Sequence, residues 1–365
     1  MLPIEEIEKL PFLFIVGRAR SGTTLLQTML DANPHVMLPF ESRLIIFLKK
    51  KYFPVKIFTA KLADEFINDL YKEREFRRSW NVNRDELQKA IHSFPLHKLS
   101  FGVLCKLVYL SYPSPFEKTN LLLIGDKKPT YSKFIKELRE VFPQAKFIHL
   151  IRDYRDNILS NREAFTLKNI SILAHNWNDF NSCIDQVKAQ HKELFYTLRY
   201  EDLVALPERY SKEICAFVGI PFYPEMLNTH TKVNEVYDKT TEEGIIKQAI
   251  IKVHANLLNP INTRQIDKWK QQLSQDEIAL ADYICGRYAQ QYKYQSVSNE
   301  KGMALWVKSF LGKSRLCFDD MVIKTYYQLP FGFRNAISYV TAKLYQKFGF
   351  TTYYNHNDFM FKKRE

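Results

Sequence analysis

The sequence predicts an α/β protein with a doubly wound parallel sheet flanked by helices. A unit of apolar run, polar loop and amphipathic helix recurs four times along the 365 residues, and strands that alternate with helices form parallel sheets. Charged residues follow each of the four runs, at the edge of the sheet where such folds bind ligands. The chain is 46% hydrophobic, which is enough for a sizeable core.

The individual elements follow from their periodicity. The predicted strands are short apolar runs at about residues 11–17, 121–125, 146–151 and 195–199. A helix is predicted after each strand. The first ends at Asn33-Pro34 and the second ends before Pro143. The third begins near Tyr154, and the fourth spans about 207–218. Residues 44–120 have a mainly helical pattern and form an insertion between the first two units.

The charge is basic and unevenly distributed. A formal net charge of +13 favours a polyanionic partner, such as a nucleotide, a nucleic acid or an anionic lipid surface. Residues 301–365 hold eleven Lys and Arg against four Asp and Glu, so this segment carries +7. We therefore predict a domain over residues 1–298 and a basic, aromatic-rich extension over 299–365. The extension either docks on an anionic membrane surface or packs its aromatic side chains back onto the domain.

The cysteines and the first residues of the sequence predict the cellular compartment of the protein. Five scattered cysteines without a C-x-x-C pair predict free thiols in a reducing compartment and no zinc site. The acidic start differs from the basic start of a secretory signal, and the sequence contains no run of 18 uninterrupted apolar residues. We expect a cytoplasmic protein that contacts a membrane only peripherally.

The stretch FIVGRARSGTT, residues 14–24, has the glycine spacing of a phosphate-binding loop. Gly17 and Gly22 stand as in G-x-x-x-x-G, but Thr23 occupies the position of the lysine that nucleoside triphosphatases use. Backbone N–H groups at a helix N-terminus bind an anion whichever residue follows. The pattern therefore indicates a phosphate-like ligand without the β/γ-phosphate contact of a kinase. A P-loop kinase or NTPase stays open, since Asp126 could supply its acidic metal ligand.

A second cationic block, LIRDYRDNILS, begins in the predicted strand over residues 146–151. Arg152 leaves the strand, and Ser160 lies eight residues later, just over two helical turns away. Both side chains can therefore face one anion. Taken alone, an Arg and a Ser at this spacing could equally be a solvated surface pair.

Together, the two blocks resemble the sulfotransferases that use 3′-phosphoadenylyl sulfate (PAPS). Their 5′-phosphosulfate loop has the form R/K-S-G-T-T/S, which is matched by Arg20, Ser21, Gly22, Thr23 and Thr24. Their 3′-phosphate motif is an Arg followed eight residues later by a Ser, which is matched by Arg152 and Ser160. The resemblance implies a P-loop-NTPase-like sulfotransferase fold, PAPS as the donor, and no metal. A sulfuryl donor needs no Mg²⁺ bridge across a triphosphate, which accounts for the missing lysine.

The segment MLDANPHVMLPFESRLI resembles the tyrosylprotein-sulfotransferase-like branch. Its triplet Glu41-Ser42-Arg43 stands where that branch has E-T-R, and Glu41 lies 21 residues after Arg20. The resemblance implies that Glu41 is the catalytic base and that Arg43 binds the acceptor or the sulfuryl oxygens. It also implies two catalytic cations, Arg20 and Lys127, the latter at the bridging oxygen. By the same resemblance, RYEDL and NPINTRQIDKWK supply the cofactor-binding residues Tyr200, Asn262 and Lys268.

The predicted function is transfer of a sulfuryl group from PAPS to the hydroxyl of a saccharide, a lipid or a phenol such as tyrosine. The resemblance runs in blocks from about Pro11 to Lys270, and the helical insertion 44–120 is expected on the acceptor side. The His base of the small-molecule branch is not found, and His149 fits a core position. A non-enzymatic nucleic-acid-binding protein is the other alternative, but we expect no nucleic-acid partner because no recognised module is readable.

Overall fold

The computed structural model describes residues 2–165, 167–239, 255–329 and 333. The chain divides into two compact units. The sheet unit holds Met1–Ile151 with Cys183–Thr263, and the helical unit holds Arg152–Ser182 with Arg264–Glu365. The predicted boundary near Ser298 stays a prediction, and residues 330–332 and 334–365 of the predicted extension lie outside the described residues.

The described residues alternate strands and helices. The strands are β1 (Phe12–Val16), β2 (Val36–Met37), β3 (Leu123–Lys127), β4 (Lys146–Ile151) and β5 (Phe195–Arg199). In chain order the helices are α1 (Ile4–Lys9), α2 (Thr23–Asp31), α3 (Leu44–Tyr52), α4 (Ala60–Leu70), α5 (Arg74–Ser79), α6 (Arg84–His92), α7 (Phe101–Leu110), α8 (Ile135–Val141), α9 (Tyr154–Ala164), α10 (Ile170–Lys188), α11 (Tyr200–Ala205), α12 (Pro207–Val218), α13 (Thr229–Lys239), α14 (Trp269–Gln272), α15 (Gln275–Ala289) and α16 (Met303–Gln328). The insertion over residues 44–120 is mainly helical, as predicted.

The five strands pair in parallel in the order β2-β3-β1-β4-β5. The predicted doubly wound parallel sheet is therefore confirmed, and the four predicted strands correspond to β1, β3, β4 and β5. The edge strand β2 was not predicted, because two residues are too few to show a period of two.

The core lies on both faces of the sheet, because successive side chains of a strand point to opposite faces. Leu13 and Ile15 of β1 pack with Leu26 of α2 and Ile214 of α12. On the other face, Phe14 packs with residues of the insertion, including those of helix α7. Helices on both faces leave the carboxyl ends of the strands as the place where polar side chains can collect.

The register of the sheet sets which charged residues lie beside the end of β1. Phe14 pairs with Asp126 and Ile15 pairs with Lys127 of β3. On the other side, Val16 pairs with His149, which is buried within β4 as expected for a core residue. The loop that follows β1 therefore starts next to the charged end of β3.

The helical unit has its own small core. Leu159 of α9 packs with Trp269, Leu273 and Ile278, and the hydroxyl of Tyr154 donates to a carboxylate oxygen of Asp282. Across the described residues, no helix is both long and apolar enough to span a bilayer.

Candidate functional site

The loop after β1 has a backbone that only glycine can adopt at its start. Gly17 has φ +144°, and a Cβ atom there would come 2.2 Å from the carbonyl oxygen of Leu150. The N–H of Gly17 donates to Oγ of Ser132 at 3.0 Å. The backbone at Gly17 is thus fixed by the neighbouring strand β4 and by the segment after β3.

The end of the loop is fixed by a second glycine. Gly22 has φ +89° and is the N-cap of α2, and a Cβ atom there would lie 2.4 Å from Cδ2 of Tyr200. The ring of Tyr200 therefore packs directly against the loop. Arg20 also has a positive φ of 69°, a strained conformation for a side chain with a Cβ atom. Ser21 and Thr23 are buried beside it, and they lead into the start of α2, the kind of helix N-terminus at which backbone N–H groups can bind an anion.

Lys127 connects this loop to the predicted base. Its ammonium group donates to Oγ1 of Thr24 at 3.0 Å and to a carboxylate oxygen of Glu41. The Lys127 side chain is 1% exposed, whereas that of Glu41 is 25% exposed. The structure therefore brings together three predicted residues that lie up to 103 positions apart in the sequence, and one of them, Glu41, is partly exposed to solvent.

A second lysine and a second glutamate extend the cluster. Lys128 donates to the other carboxylate oxygen of Glu41 at 3.0 Å and to Glu75 of α5 at 2.5 Å. Glu75 in turn lies 3.6 Å from Nε of Arg43. Arg43, Glu75, Lys128, Glu41 and Lys127 thus form one continuous chain of alternating charges, which we call the ion network.

The ion network sets the protonation of its members. Burial alone would raise the pKa of Glu41, but Lys127 and Lys128 outweigh burial and hold that pKa well below its usual range. Burial lowers the pKa of Lys127, and Glu41 offsets part of that effect. For Lys128, the attraction of Glu75 and Glu41 exceeds the burial penalty, and the pKa rises. The network therefore keeps Glu41 ionised, as a base must be, but also weakens its basicity.

Asp126 is turned away from the phosphate-binding loop. Its side chain is fully buried and accepts a hydrogen bond from Tyr109 of α7, and Tyr131 lies beside it. Burial raises its pKa to about 7. A carboxyl group in this position does not face Thr23 or Thr24, so it does not form the metal site that a kinase or NTPase requires.

Two further predicted residues lie in the sheet unit. Tyr200 begins α11 and packs on Gly22, as described above. Asn262 donates from its side chain to the carbonyl oxygen of Pro260 at 2.7 Å, which is a local contact of its own loop. The predicted contacts of Tyr200 and Asn262 with the donor stay predictions.

The helical unit holds the other predicted block. Arg152 is buried, and its Nη2 donates to the carbonyl oxygen of Gln265 at 2.5 Å. Asp156, one turn further along α9, accepts from the backbone N–H groups of Asp267 and Trp269 at 2.8 and 3.0 Å. The segment that carries Lys268, the N-cap of α14, is therefore held against the start of α9. Arg152 and this late segment, 113 positions apart, were both predicted from motifs and lie side by side.

Ser160 lies on α9, eight residues after Arg152, and is partly exposed. Its place on the helix agrees with the spacing from which it was predicted, and its role stays a prediction. Among the described residues, no group of three or more His, Cys, Asp or Glu side chains is arranged to hold a metal ion.

The sequence interpretation missed Lys128 and Glu75 as parts of the site. Lys128 was visible as the neighbour of Lys127, but alternation along a strand would turn the two side chains to opposite faces. Both reach Glu41 because β3 ends at Lys127 and the chain turns there. Glu75 lies in the insertion, 34 residues after Glu41, and no local motif could have identified it.

The comparisons with known proteins bear on the family of the chain. A family model described as "Sulfotransferase family" matches residues 11–225. Protein-tyrosine sulfotransferase A of Caenorhabditis elegans is 25% identical over 291 residues, which are 75% of this chain and 65% of that protein. The protein-tyrosine sulfotransferase of Drosophila melanogaster is 24% identical over 279 residues, which are 74% of this chain and 49% of that protein. The chain thus matches about half to two thirds of the length of these relatives.

A solved structure has the same fold. The sulfotransferase domain from the Synechococcus PCC 7002 olefin synthase has 21% sequence identity and a TM-score of 0.50, with 78% of this chain and 95% of that chain covered. This likeness concerns the fold. The match of the family model to more than half of the residues decides the family: the chain belongs to the sulfotransferase family.

Proposed function

We propose that this protein transfers a sulfuryl group from PAPS to an acceptor hydroxyl, with tyrosine among the candidate acceptors. One observation carries the proposal: the ammonium group of Lys127 contacts both Thr24 of the phosphate-binding loop and the carboxylate of Glu41. A cation between an anion-binding loop and a partly exposed carboxylate is the arrangement that sulfuryl transfer needs, since the leaving phosphate and the attacking hydroxyl lie on opposite sides of the sulfur.

Each member of the site has a chemical role in this proposal. The N–H groups of the loop and the hydroxyls of Thr23 and Thr24 bind the 5′-phosphate of the donor. Lys127 and Arg20 stabilise charge that develops on the bridging and sulfuryl oxygens. Glu41 removes the proton of the acceptor hydroxyl. As the S–O bond to the donor phosphate breaks, the bond from sulfur to the acceptor oxygen forms, and adenosine 3′,5′-bisphosphate leaves.

Donor binding and base strength are coupled through Lys127. The sulfuryl and phosphate oxygens of the donor compete with Glu41 for the ammonium group. Each contact that Lys127 gives to the donor removes a charge partner from Glu41, and the pKa of Glu41 then rises toward its ordinary value. The carboxylate therefore becomes a stronger base when the donor is in place.

Lys128 and Glu75 are positioning residues in this scheme. Lys128 holds the second oxygen of Glu41, and Glu75 fixes Lys128 and Arg43 from the side of the insertion. The acceptor pocket is proposed on this side, where Arg43 is partly exposed. The other donor contacts, from Arg152, Ser160, Tyr200, Asn262 and Lys268, belong to the same proposal through the family motifs.

Two observations disfavour the alternatives. A kinase or NTPase would need a lysine at Thr23 and an acidic metal ligand at the loop, and Asp126 is buried among tyrosines instead. A nucleic-acid-binding protein would expose its cations along a surface, whereas Lys127 and Lys128 are buried in the ion network. A cytoplasmic location remains part of the proposal, and cell fractionation tests it.

The deciding experiment supplies labelled PAPS to the full chain with three acceptor pools, namely tyrosine peptides, glycans and lipids, in the presence of a Mg²⁺ chelator. We expect release of adenosine 3′,5′-bisphosphate together with one sulfated product identified by mass. Donor binding that requires Mg²⁺, or transfer of phosphate from ATP, would overturn the assignment.

A binding measurement tests the predicted 3′ contact separately. Arg152→Ala should weaken adenosine 3′,5′-bisphosphate by roughly 1.5–3 kcal/mol, the size of a charged hydrogen bond, and leave 5′-AMP almost unchanged. An equal loss for both nucleotides would show that Arg152 does not read the 3′-phosphate.

A further inference from the structure

Helix α16 carries an exposed apolar face. Seven of its large apolar side chains are between 40% and 75% exposed, namely Met303, Trp306, Val307, Phe310, Leu311, Phe318 and Met321. At about 100° per residue they fall within a sector of roughly 140°, and from Met303 to Met321 they extend about 27 Å. We call this set the apolar stripe.

The opposite side of α16 is the buried one, and it carries Ser309, Gly312 and Asp319 together with the partly buried Leu305 and Leu316. The carbonyl oxygen of Lys308 accepts from the hydroxyl of Ser171 in α10 at 2.8 Å. His175 of α10 lies 3.0 Å from the carbonyl oxygen of Ser309 and 3.1 Å from its hydroxyl. A Cβ atom at Gly312 would come 2.0 Å from Oγ of Ser171. The helix thus packs through Ser309 and Gly312 and turns its aromatic side chains outward.

This arrangement contradicts the idea that the aromatic residues of the extension pack back onto the protein, for the described part of the helix. Trp306 and Phe310 stack on each other, with ring centroids 5.5 Å apart, and both remain about half exposed. A surface helix normally buries its apolar side. A helix that leaves seven large apolar side chains exposed in one sector marks a surface that meets an apolar phase or partner.

The charges beside the stripe indicate which partner it meets. On the helical wheel, Lys308 and Arg315 lie along one border of the stripe, where Arg315 pairs with Asp319 at 3.3 Å, and Lys313 lies along the other border, beside Asp320. Lys308 and Lys313 are exposed. Lysine stems can lie along apolar surface while their ammonium groups reach upward to lipid phosphates. Cations on both borders of an apolar sector are typical of helices that lie in the plane of an anionic bilayer surface.

We propose that α16 is a peripheral membrane-docking helix for an anionic lipid surface. The proposal concerns lipid binding and is measured without turnover, so it stands or fails independently of the proposed reaction.

The first test is sedimentation of the full chain with vesicles. We expect the protein to pellet with vesicles that contain phosphatidylserine and not with pure phosphatidylcholine vesicles. Raising the salt from about 0.1 M to 1 M shortens the Debye length from about 10 Å to 3 Å, so it should release most of the bound protein. Equal binding to both vesicle types, or none to either, overturns the proposal.

Two pairs of variants separate the apolar and the ionic parts. Phe310→Asp should reduce vesicle affinity tenfold or more, whereas Leu206→Asp, a similarly exposed position in the sheet unit, should not. Lys308→Gln with Lys313→Gln should reduce affinity roughly thirtyfold, at about fivefold per cation. The matched control, Lys56→Gln with Lys61→Gln, also removes two exposed lysines and should have little effect.

The chain contains two reporters that locate the contact. Trp80, Trp177 and Trp269 are buried, whereas Trp306 lies in the stripe, so lipid binding should shift tryptophan emission to the blue and protect it from acrylamide. Cys317 is the exposed cysteine, while Cys183 is partly buried and Cys105, Cys215 and Cys285 are buried, and maleimide labelling at Cys317 should slow when vesicles are present. Unchanged emission and labelling in pelleted protein would place the contact elsewhere and overturn the proposal.

One outcome would assign the stripe to a second copy of the chain. Light scattering that shows a dimer without lipid, converted to a monomer by Phe310→Asp and unaffected by Leu206→Asp, would replace the membrane with a dimer interface. Circular dichroism melts of each variant verify that the fold is intact.

Discussion

The ion network of the sheet unit and the apolar stripe of α16 depart from ordinary burial in opposite ways. In the ion network, lysines that are at most 2% exposed pair with carboxylates. In the stripe, rings and aliphatic chains are about half exposed. Burying charge is costly unless partners are present, so the network is assembled before any ligand arrives. The stripe needs no such organisation, because apolar burial is non-directional. The first arrangement suits a small, precisely oriented reactant, and the second suits a broad surface.

The largest expected effect tests whether the ion network is catalytic. Glu41→Gln should lower turnover by about 10²–10⁴-fold, the usual contribution of a general base, while the affinity for PAPS is kept. The measurement is product formation under saturating donor. Glu140→Gln, which changes an exposed glutamate paired with Lys49, is the control. Near-normal turnover of Glu41→Gln would mean that another group removes the proton.

The next effect concerns the buried acid behind the network. The pKa of Asp126 is raised to about 7 by burial, so between about pH 4 and pH 7 the folded state holds a proton that the unfolded state releases. Stability from this group is therefore lost as the pH rises, by up to about 4 kcal/mol. Asp126→Asn should remove this loss, which is measured by urea unfolding across the pH range.

A second variant tests the direction in which the pH dependence of stability shifts. The hydrogen bond from Tyr109 lowers the pKa of Asp126 and offsets part of the burial effect. Tyr109→Phe should therefore extend the pH-dependent loss to higher pH. If wild type and Asp126→Asn show parallel pH dependence, Asp126 is ionised in the folded protein and the assigned pKa is wrong.

A smaller effect separates the two neighbours of Glu41 in the network. Lys128→Gln removes a cation from Glu41, so the pKa of Glu41 rises and the acid limb of the pH–rate profile moves to higher pH. We expect roughly a tenfold loss of kcat, or about 1.4 kcal/mol. Glu75→Gln removes the other carboxylate partner of Lys128, so Lys128 interacts with Glu41 alone. The pKa of Glu41 then falls, and the acid limb should move to lower pH. Shifts in the same direction for both variants would show that the network acts only through stability.

The smallest effect concerns the packing that turns the stripe outward. Gly312→Ala forces a Cβ atom against Ser171, and this strain should exceed the gain in helix propensity, for a net loss of roughly 1 kcal/mol. Gly302→Ala, where a Cβ atom would meet nothing within 4 Å, is the control. Thermal melts compare the two, and equal melting temperatures would show that α16 does not depend on this contact.

Local patterns were enough for most of the fold. The strands at residues 146–151 and 195–199 and the helix over 207–218 have the predicted bounds, because each is an apolar or amphipathic run with clear end signals. The two-residue strand β2 has no pattern to detect. In the site, Glu41 and Lys127 could be proposed from motifs, but Glu75 joins them only through the packing of the insertion.

The sequence also did not show which side of α16 would be buried. Interleaved aromatic and basic residues fit either a packed or a docking helix. The choice is made by Ser309 and Gly312, whose small size allows close contact with α10. Their importance depends on the partner helix, and nothing in their own neighbourhood indicates it.

Asp126 and Lys127 are neighbours in β3, so their side chains point to opposite faces. The register of the strand therefore decides whether a negative or a positive charge lies beside the loop after β1. A slip of one residue toward the end of the strand would bring Asp126 into the place of Lys127, present a carboxylate to Thr24 and leave Gly125 between Tyr109 and Tyr131. Gly125, where even a Cβ atom would come within 2.9 Å of Leu38, leaves no room for a side chain at the preceding position. A single-residue insertion in β3 that shifts Asp126 into the place of Lys127 should therefore put a negative charge beside Thr24 and weaken the binding of anions at the loop after β1, with nearly the same backbone.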